Sequence, residues 1–208
     1  MKLLAATRSA GKQAEIRRLL EAAGYEVVFP DDAGLVERPI EENPLELGAS
    51  FAVNARQKAE YFARRSGLPT FADDSGLEVL SLGGAPGVRS KRWAGASGSP
   101  AEVDAANNAE LLRRLGGAEP VRRAGRYRCV IALVRTPGGI PEVYEGQCAG
   151  RILEEPAGSN GFGYDPLFLS ADLGKSFGEA TPEEKDSVSH RARALKALIA
   201  ALDPVAGS

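Results

Sequence analysis

The chain has 208 residues, of which 43% are hydrophobic and 26% charged, and its formal net charge is −2. That size and balance suit one sizeable core, or one core with two lobes, and no apolar run approaches the roughly 20 residues that a membrane-spanning helix needs. A slight acidic excess argues against a general binder of nucleic acid polymers, which usually shows a basic excess or stripe. Pairs such as Arg17-Arg18, Arg64-Arg65, Arg113-Arg114 and Arg122-Arg123 fit the polar sides of helices, so the balance suits an anionic small molecule held by a few cations. The opening Met1-Lys2-Leu3-Leu4-Ala5-Ala6-Thr7-Arg8 is unlike a secretory signal, and a cytoplasmic location with no membrane partner is expected. Cys129 and Cys148 lie in apolar strand-like segments and read as reduced core residues, although they could pair. With one histidine and no CxxC, a zinc site is not expected.

In chain order, Lys2 to Ala6 reads as a buried strand and Thr7 to Gly11 as a small polar loop. A helix follows, with Ile16, Leu19, Leu20 and Ala23 on one face. Gly24 ends it, and Glu26 to Phe29 begins a second strand, the opening of an α/β sheet. The acidic, proline-containing stretch 30–45 reads as a long connection. A second helix is expected from about Glu46 to Arg65, with Phe51, Ala55, Ala59 and Phe62 as its buried stripe. Pro69 to Ala72 leads into a strand that meets Asp73-Asp74-Ser75-Gly76 and resumes at Leu77. Gly83 to Gly98 is too glycine-rich for regular structure throughout, and Ala101 to Leu115 reads as a helix. Strands at Arg128 to Val134 and Glu142 to Ala149 flank a Pro137-Gly138-Gly139 turn, with Arg151 to Leu153 as an extension. A glycine-rich loop spans Gly158 to Pro166. Thr181-Pro182-Glu183-Glu184 has the form of a capping box, and a last helix carries Leu195, Leu198, Ile199 and Leu202. No repeat or linker divides the chain, so residues 1–208 are expected to form one domain with a frayed tail after Asp203.

Five segments carry candidate chemistry. In Thr7-Arg8-Ser9-Ala10-Gly11-Lys12, a loop entering a helix offers N–H groups, the positive end of the helix dipole, hydroxyls and a lysine, a combination suited to phosphate. It is not a Walker A loop, because Ala6 and Gln13 stand where that motif needs glycine and Ser or Thr. By itself it also reads as an ordinary strand–helix turn. Glu46, Ser50, Asn54 and Lys58 form a polar row at steps of four, equally consistent with a solvated flank. Asp73 and Asp74 interrupt an apolar strand; their side chains leave by opposite faces, and one of them inward-facing would need a partner such as magnesium with phosphate oxygens. The alternative there is an Asp-Ser-Gly turn at a strand end. In Gly161-Phe162-Gly163-Tyr164-Asp165-Pro166, glycines let backbone approach a flat ligand on which Phe162 stacks, or the segment is a packing turn. Lys185 with Ser189-His190-Arg191 offers donors to a purine oxygen or a phosphate, or a structural histidine.

Together and in this order, ATRSAGK at 6–12, ELGASFAVNARQKA at 46–59, ADDSGLEV at 72–79, LGGAPGVRSKRWAG at 82–95, EPAGSNGFGYDPLF at 155–168 and EEKDSVSHRARAL at 183–195 resemble the inosine triphosphate pyrophosphatase family of non-standard purine NTP pyrophosphatases. The resemblance implies an α/β fold in which a long curved mixed sheet is flanked by helices in two lobes around a central substrate cleft, commonly as a homodimer. It implies hydrolysis of dITP, ITP or XTP to the monophosphate and pyrophosphate with Mg²⁺ as cofactor. It makes Thr7, Arg8, Ser9, Ala10, Gly11 and Lys12 the triphosphate cradle, and Glu46 and Asp74 the magnesium ligands. It makes Asp74 also the acceptor of the attacking water's proton. Lys58 should touch phosphate, with Asn54 a weaker candidate beside it. Ser75, Phe162, Gly163, Tyr164 and Asp165 resemble substrate contacts, and Lys185, His190 and Arg191 the base-reading group. Two positions depart from the family: Ser9 stands for the usual asparagine, keeping a donor and an acceptor on a shorter arm, and Arg8 stands for the usual glycine, adding a cation. Asp73 is a further helper candidate. Maf-like nucleotide pyrophosphatases are the enzymatic alternative, but their serine-proline-arginine-arginine opening is absent here. A nucleotide-binding protein without turnover is the other.

Overall fold

The computed structural model describes residues 1–202, so the expected frayed tail lies outside the described residues. The chain opens as the sequence implies, with strand β1 (Lys2–Ala5), helix α1 (Ala10–Ala22) and strand β2 (Glu26–Val28). Leu3, Leu4 and Ala5 are fully buried, and β1 pairs in parallel with β2 through Leu3↔Val27. Helix α1 stops where Gly24 adopts φ +82, and Tyr25 N–H folds back onto the Leu20 carbonyl at 3.0 Å.

The connection that follows carries short structure: helix α2 (Pro39–Glu42) and a 3-10 turn (Asn43–Glu46). Helix α3 (Phe51–Ser66) therefore starts later than the periodicity suggests, and Glu46 is not on it. The reason is local. Ser50 sits in extended backbone and its hydroxyl accepts from Val53 N–H, a helix N-cap that sets the first turn. The stripe Phe51, Ala55, Ala59 and Phe62 is buried as expected. Gly67 at φ +72 closes α3, with Arg64 and Arg65 in its last turn.

Strand β3 (Thr70–Val79) runs unbroken through the acidic pair, correcting the expected interruption. It stands between β1 and β4 in the sheet, and both carboxylates are buried rather than one of them, Asp73 at 2% and Asp74 at 9% exposure. Then come helix α4 (Pro100–Arg114), strands β4 (Ala124–Val134) and β5 (Glu142–Ile152), strand β6 (Phe168–Ser170), and helices α5 (Pro182–Val188) and α6 (His190–Leu202). Gly87–Arg92 forms a 3-10 turn within the glycine-rich stretch. Capping boxes at Ser99/Glu102 and Thr181/Glu184 start α4 and α5. Among the described residues, six strands form one sheet in the order β2-β1-β3-β4-β5-β6. β1 pairs in parallel with β2 and β3, and β5 antiparallel with β6, so the sheet is mixed and the fold α/β.

Two compact units interleave in sequence. The first comprises Met1–Asp74, Cys129–Gly146 and the chain from Arg191; the second comprises Ser75–Arg128 and Gln147–His190. The core of the first joins Leu3, Ile16, Leu20, Phe71, Ile131 and Leu198. The core of the second joins Leu77, Leu111, Tyr127, Leu167, Phe168 and Phe177, with the Tyr127 and Phe168 rings edge-on at 4.7 Å. Each such side chain contributes roughly 1.5–3 kcal/mol on burial. Cys129 and Cys148 are both buried and unbridged, and burial, with Asp73 nearby, pushes the Cys129 thiol far up, so it is inert packing.

In the second unit two backbones meet at Gly158 and Gly178. Gly158 has φ +75, and a Cβ there would stand 2.1 Å from the Gly178 carbonyl oxygen. Gly158→Ala is expected to lower unfolding stability by more than about 2 kcal/mol, through strain and overlap together. A urea titration checks this, and a loss under about 0.5 kcal/mol, the range of neutral surface changes, would contradict it.

Candidate active site

In the first unit, pairing of β1 with β3 brings the strand end and the acidic pair together. Ala5 pairs with Phe71 and Ala6 N–H donates to the Phe71 carbonyl at 2.8 Å, so the Thr7–Ser9 loop leaves the sheet beside Asp73. Lys12, in the first turn of α1, reaches back to Asp73 at 2.9 Å. Ser9 occupies the N-cap position of α1, but its side chain makes no capping hydrogen bond; its N–H donates to Thr7 Oγ1 at 3.2 Å. Ala10 and Gly11 form the helix's first residues. The loop thus combines a 13-residue helix's N-terminus with a lysine, as the sequence implies.

Arg8 does not join them. Its guanidinium is held by Glu42 at 3.1 Å, by Asp31 and by the Leu35 carbonyl at 2.9 Å. The acidic 30–42 connection supplies its partners. Desolvation opposes the Arg8 charge, and Glu42, with Asp31 and Glu37, more than offsets it.

The two aspartates leave β3 by opposite faces and meet different partners. Asp73 lies against Lys12 and against Arg191 Nε at 3.2 Å, and Arg191 in turn pairs with Glu15 of α1. Burial works against the Asp73 charge, but Lys12, Arg191 and Lys58 overcome it and hold the carboxyl far below the usual range. Asp74 accepts from Asn54 Nδ2 at 2.8 Å and lies 3.6 Å from Lys58 Nζ. Here burial wins over Lys58 and Lys12, and the carboxyl is pushed above its ordinary value.

Lys58 connects the remaining parts. Its ammonium donates to the Asp73 carbonyl at 2.7 Å and also reaches Glu46 Oε1 at 3.4 Å. Burial disfavours its charge, and Asp74, Glu46 and Asp73 outweigh burial, so it stays protonated. Asn54 anchors the same region: its amide donates to the Glu46 carbonyl at 3.3 Å and accepts from Gly48 N–H at 2.7 Å. Glu46 and Asp74 therefore face one cation, the Lys58 ammonium. Among the described residues no group of three or more His, Cys, Asp or Glu could hold a metal. Two carboxylates without a full protein cage fit magnesium, which keeps waters and takes phosphate oxygens.

In the second unit, Phe162, Asp165, Lys185 and His190 gather. Asp165 accepts from Phe162 N–H at 2.9 Å and from Lys185 Nζ at 2.5 Å, and Tyr127 Oη lies 3.4 Å from its other oxygen. Lys185 Nζ sits 4.9 Å from the Phe162 ring centre, a cation–π contact. The His190 ring stacks on Tyr127 at 4.5 Å and 8°. Tyr164 is buried and its hydroxyl donates to the Ser90 carbonyl at 2.7 Å, so its side chain fastens the loop. Gly163 is held through both its peptide groups by α4. Ser75, half-buried, follows Asp74 on β3.

The Arg191 guanidinium pairs in the first unit with Glu15 and Asp73. The family resemblance groups it with Lys185 and His190. Helix α6 begins at His190, and successive residues of a helix point about 100° apart. Glu15 went unnoticed, although a carboxylate beside Ile16 on a buried helix face, three residues after Lys12, was a usable signal.

A family model described as Ham1 family matches residues 3–201. This chain belongs to the Ham1 family. The match covers every segment discussed and sets aside the Maf-like alternative. Among curated relatives, a dITP/XTP pyrophosphatase of Syntrophobacter fumaroxidans is 48% identical to this Ham1 chain over 203 residues, covering 98% of it and 82% of the relative. One of Frankia alni is 45% identical, covering 99% and 98%. Among solved structures, a HAM1 protein from Coxiella burnetii matches with TM-score 0.82 at 34% identity, covering 97% and 98%. A dITP/XTP pyrophosphatase from Mycobacterium abscessus matches with TM-score 0.71 at 46% identity, covering 95% and 98%.

Proposed function

We propose that this Ham1 chain is a magnesium-dependent nucleoside triphosphate pyrophosphatase that hydrolyses dITP, ITP and XTP to the monophosphate and pyrophosphate. The observation that carries the reading is the meeting of Glu46 and Asp74 at Lys58, in the same unit as the lysine-bearing loop at α1. Its relatives named dITP/XTP pyrophosphatase, nearly half identical over nearly the whole chain, support the substrate class.

In this mechanism Glu46 and Asp74 hold Mg²⁺, which when bound neutralises triphosphate charge that would repel a nucleophile. Asp74 orients a water and takes its proton as the oxygen attacks the α-phosphorus. Asn54 keeps that carboxylate aimed through the 2.8 Å hydrogen bond. The bond from the α-phosphorus to the bridging oxygen breaks, and Lys12 and Lys58 stabilise the charge that develops on pyrophosphate. Asp73 parks Lys12 at 2.9 Å until phosphate oxygens compete for it. The α1 N-terminus, with Thr7 and Ser9, donates to the triphosphate. In the second unit Phe162 stacks on the base, and Lys185 donates to the C6 oxygen of hypoxanthine or xanthine. An adenine amino group there would leave the buried ammonium's donor unanswered, the kind of mismatch a site rejects strongly. Ser75 contacts the substrate, and His190 keeps the base group in place through Tyr127.

The test is incubation of the purified protein with ITP, with and without Mg²⁺, assaying IMP and pyrophosphate. Turnover with Mg²⁺ that EDTA abolishes is expected; binding of ITP without turnover would favour a non-catalytic nucleotide-binding protein. A cytoplasmic homodimer is part of the same reading, and sedimentation of the purified chain checks the dimer. Among the described residues no helix is long and apolar enough to cross a membrane.

A further inference from the structure

Phe162 stands between Gly161 at φ +76 and Gly163 at φ +65, in a loop with no strand ladder to hold it. Such a pair of glycines leaves the ring free to swing unless its peptides are tied down. The Phe162 carbonyl accepts from Asp165 N–H at 3.3 Å, and side chains hold the rest. Asp165 accepts from Phe162 N–H at 2.9 Å. Asp104 Oδ2 accepts from Gly163 N–H at 2.7 Å, and Asn108 Nδ2 donates to the Gly163 carbonyl at 3.0 Å. Asp104 and Asn108 are four residues apart on α4, one turn, so they share one helix face and grip both sides of one residue more than fifty positions later in the chain. Asn107 of the same helix makes a comparable pair of hydrogen bonds to another loop, accepting from Ala94 N–H at 2.8 Å and donating to the Lys91 carbonyl at 3.2 Å. Helix α4 thus acts as a rail on which loops of the second unit are pinned.

We propose that Asp104 and Asn108 are positioning residues for base recognition: by fixing the Gly163 peptides they hold the Phe162 ring where a purine stacks beside Lys185. The inference rests on the base-reading role proposed above for Phe162 and Lys185. Both residues belong to the second unit, with Phe162 and Lys185, so their loss reaches base binding rather than bond breaking.

The experiment compares Asp104→Ala, Asn108→Ala and Asp104→Asn with the parent in steady-state ITP and ATP hydrolysis. Each alanine variant is expected to raise KM for ITP about tenfold, to hold kcat within about threefold, and to lower the ITP-over-ATP ratio of kcat/KM. Asp104→Asn keeps an acceptor oxygen for Gly163 N–H and is expected to hold KM within about threefold of the parent. Should Asp104→Ala fail to fold, Asn108→Asp gives the reading, because it sets an acceptor against the Gly163 carbonyl and should raise KM likewise. Unchanged KM in the alanine variants, or equal losses in Asp104→Ala and Asp104→Asn, would overturn the clamp. The absence of ITP turnover in the parent would instead overturn the functional reading beneath it.

Discussion

Asp74→Asn is expected to lower kcat for ITP by about a thousandfold, within the 10²–10⁴ range of a lost general base, while leaving the protein folded. Asparagine keeps the shape and one acceptor, so the Asn54 amide retains its partner, now bonded at 2.8 Å to Asp74 Oδ2. Lys58 keeps the Asp73 carbonyl and Glu46. What disappears is a carboxylate whose proton affinity is raised by burial against the pull of Lys58 and Lys12. A carboxylate so tuned is a better proton acceptor near neutral pH than an exposed one. Pyrophosphate release gives kcat, and thermal melting within a few degrees of the parent shows that the fold survives. Turnover within tenfold of the parent would remove Asp74 from the role.

Arg191→Ala is expected to cost about 3–5 kcal/mol of stability, the usual penalty for breaking a buried ion pair from one side. Arg191 is among the largest fully buried side chains and lies between Glu15 and Asp73, both buried. Removing it takes the guanidinium from two buried carboxylates, of which Asp73 keeps Lys12 at 2.9 Å. Lysine at 191 should recover only part of the loss, since one ammonium does not reproduce a guanidinium fork. The loss should depend on pH. In the parent, the Asp73 carboxyl is far below its unfolded value, so its stabilisation is complete above about pH 4, the unfolded pKa, and disappears as pH falls toward the folded one. In the variant the carboxyls lose that support and accept protons more readily, so the gap between parent and variant should narrow from pH 7 to pH 4. Urea unfolding at both values measures it. A small, pH-independent loss, accompanied by a relaxed ITP-to-ATP preference, would return Arg191 to the base-reading role that its sequence position suggested.

How much the sequence says about Arg191 and about Asp74 differs with the range of their contacts. Elements whose cause is local were legible: the buried stripe of α3, the Thr181 capping box, and the strand–loop–helix opening with its lysine. Polarity at adjacent positions of an apolar strand pointed to Asp73 and Asp74 because buried carboxylates need partners. Which partners they have is decided by contacts between separate elements, 118 residues apart for Arg191 and Asp73, and no periodicity encodes those. The start of α3 was misjudged because steps of four from Glu46 to Lys58 look helical, while Ser50 caps later and Gly48 bends the chain toward Asn54. Strand β6 is three residues long and exists through its pairing with β5, at Gly150↔Ser170 and its neighbours. The α4 clamp on Gly163 was invisible for the same reason: Asp104 and Asn108 read as an ordinary polar helix face.

The unbroken course of β3 makes the length of that strand unforgiving. Removing one residue from Thr70–Ala72 would carry Asp74 into the slot now bonded to Lys12 and Arg191, and Ser75 into the slot beside Asn54 and Lys58. Both aspartates would survive in the gene product, yet the slot beside Lys58 would hold a hydroxyl instead of a carboxylate. Substitutions that preserve spacing are therefore far more readily absorbed in this strand than any insertion or deletion.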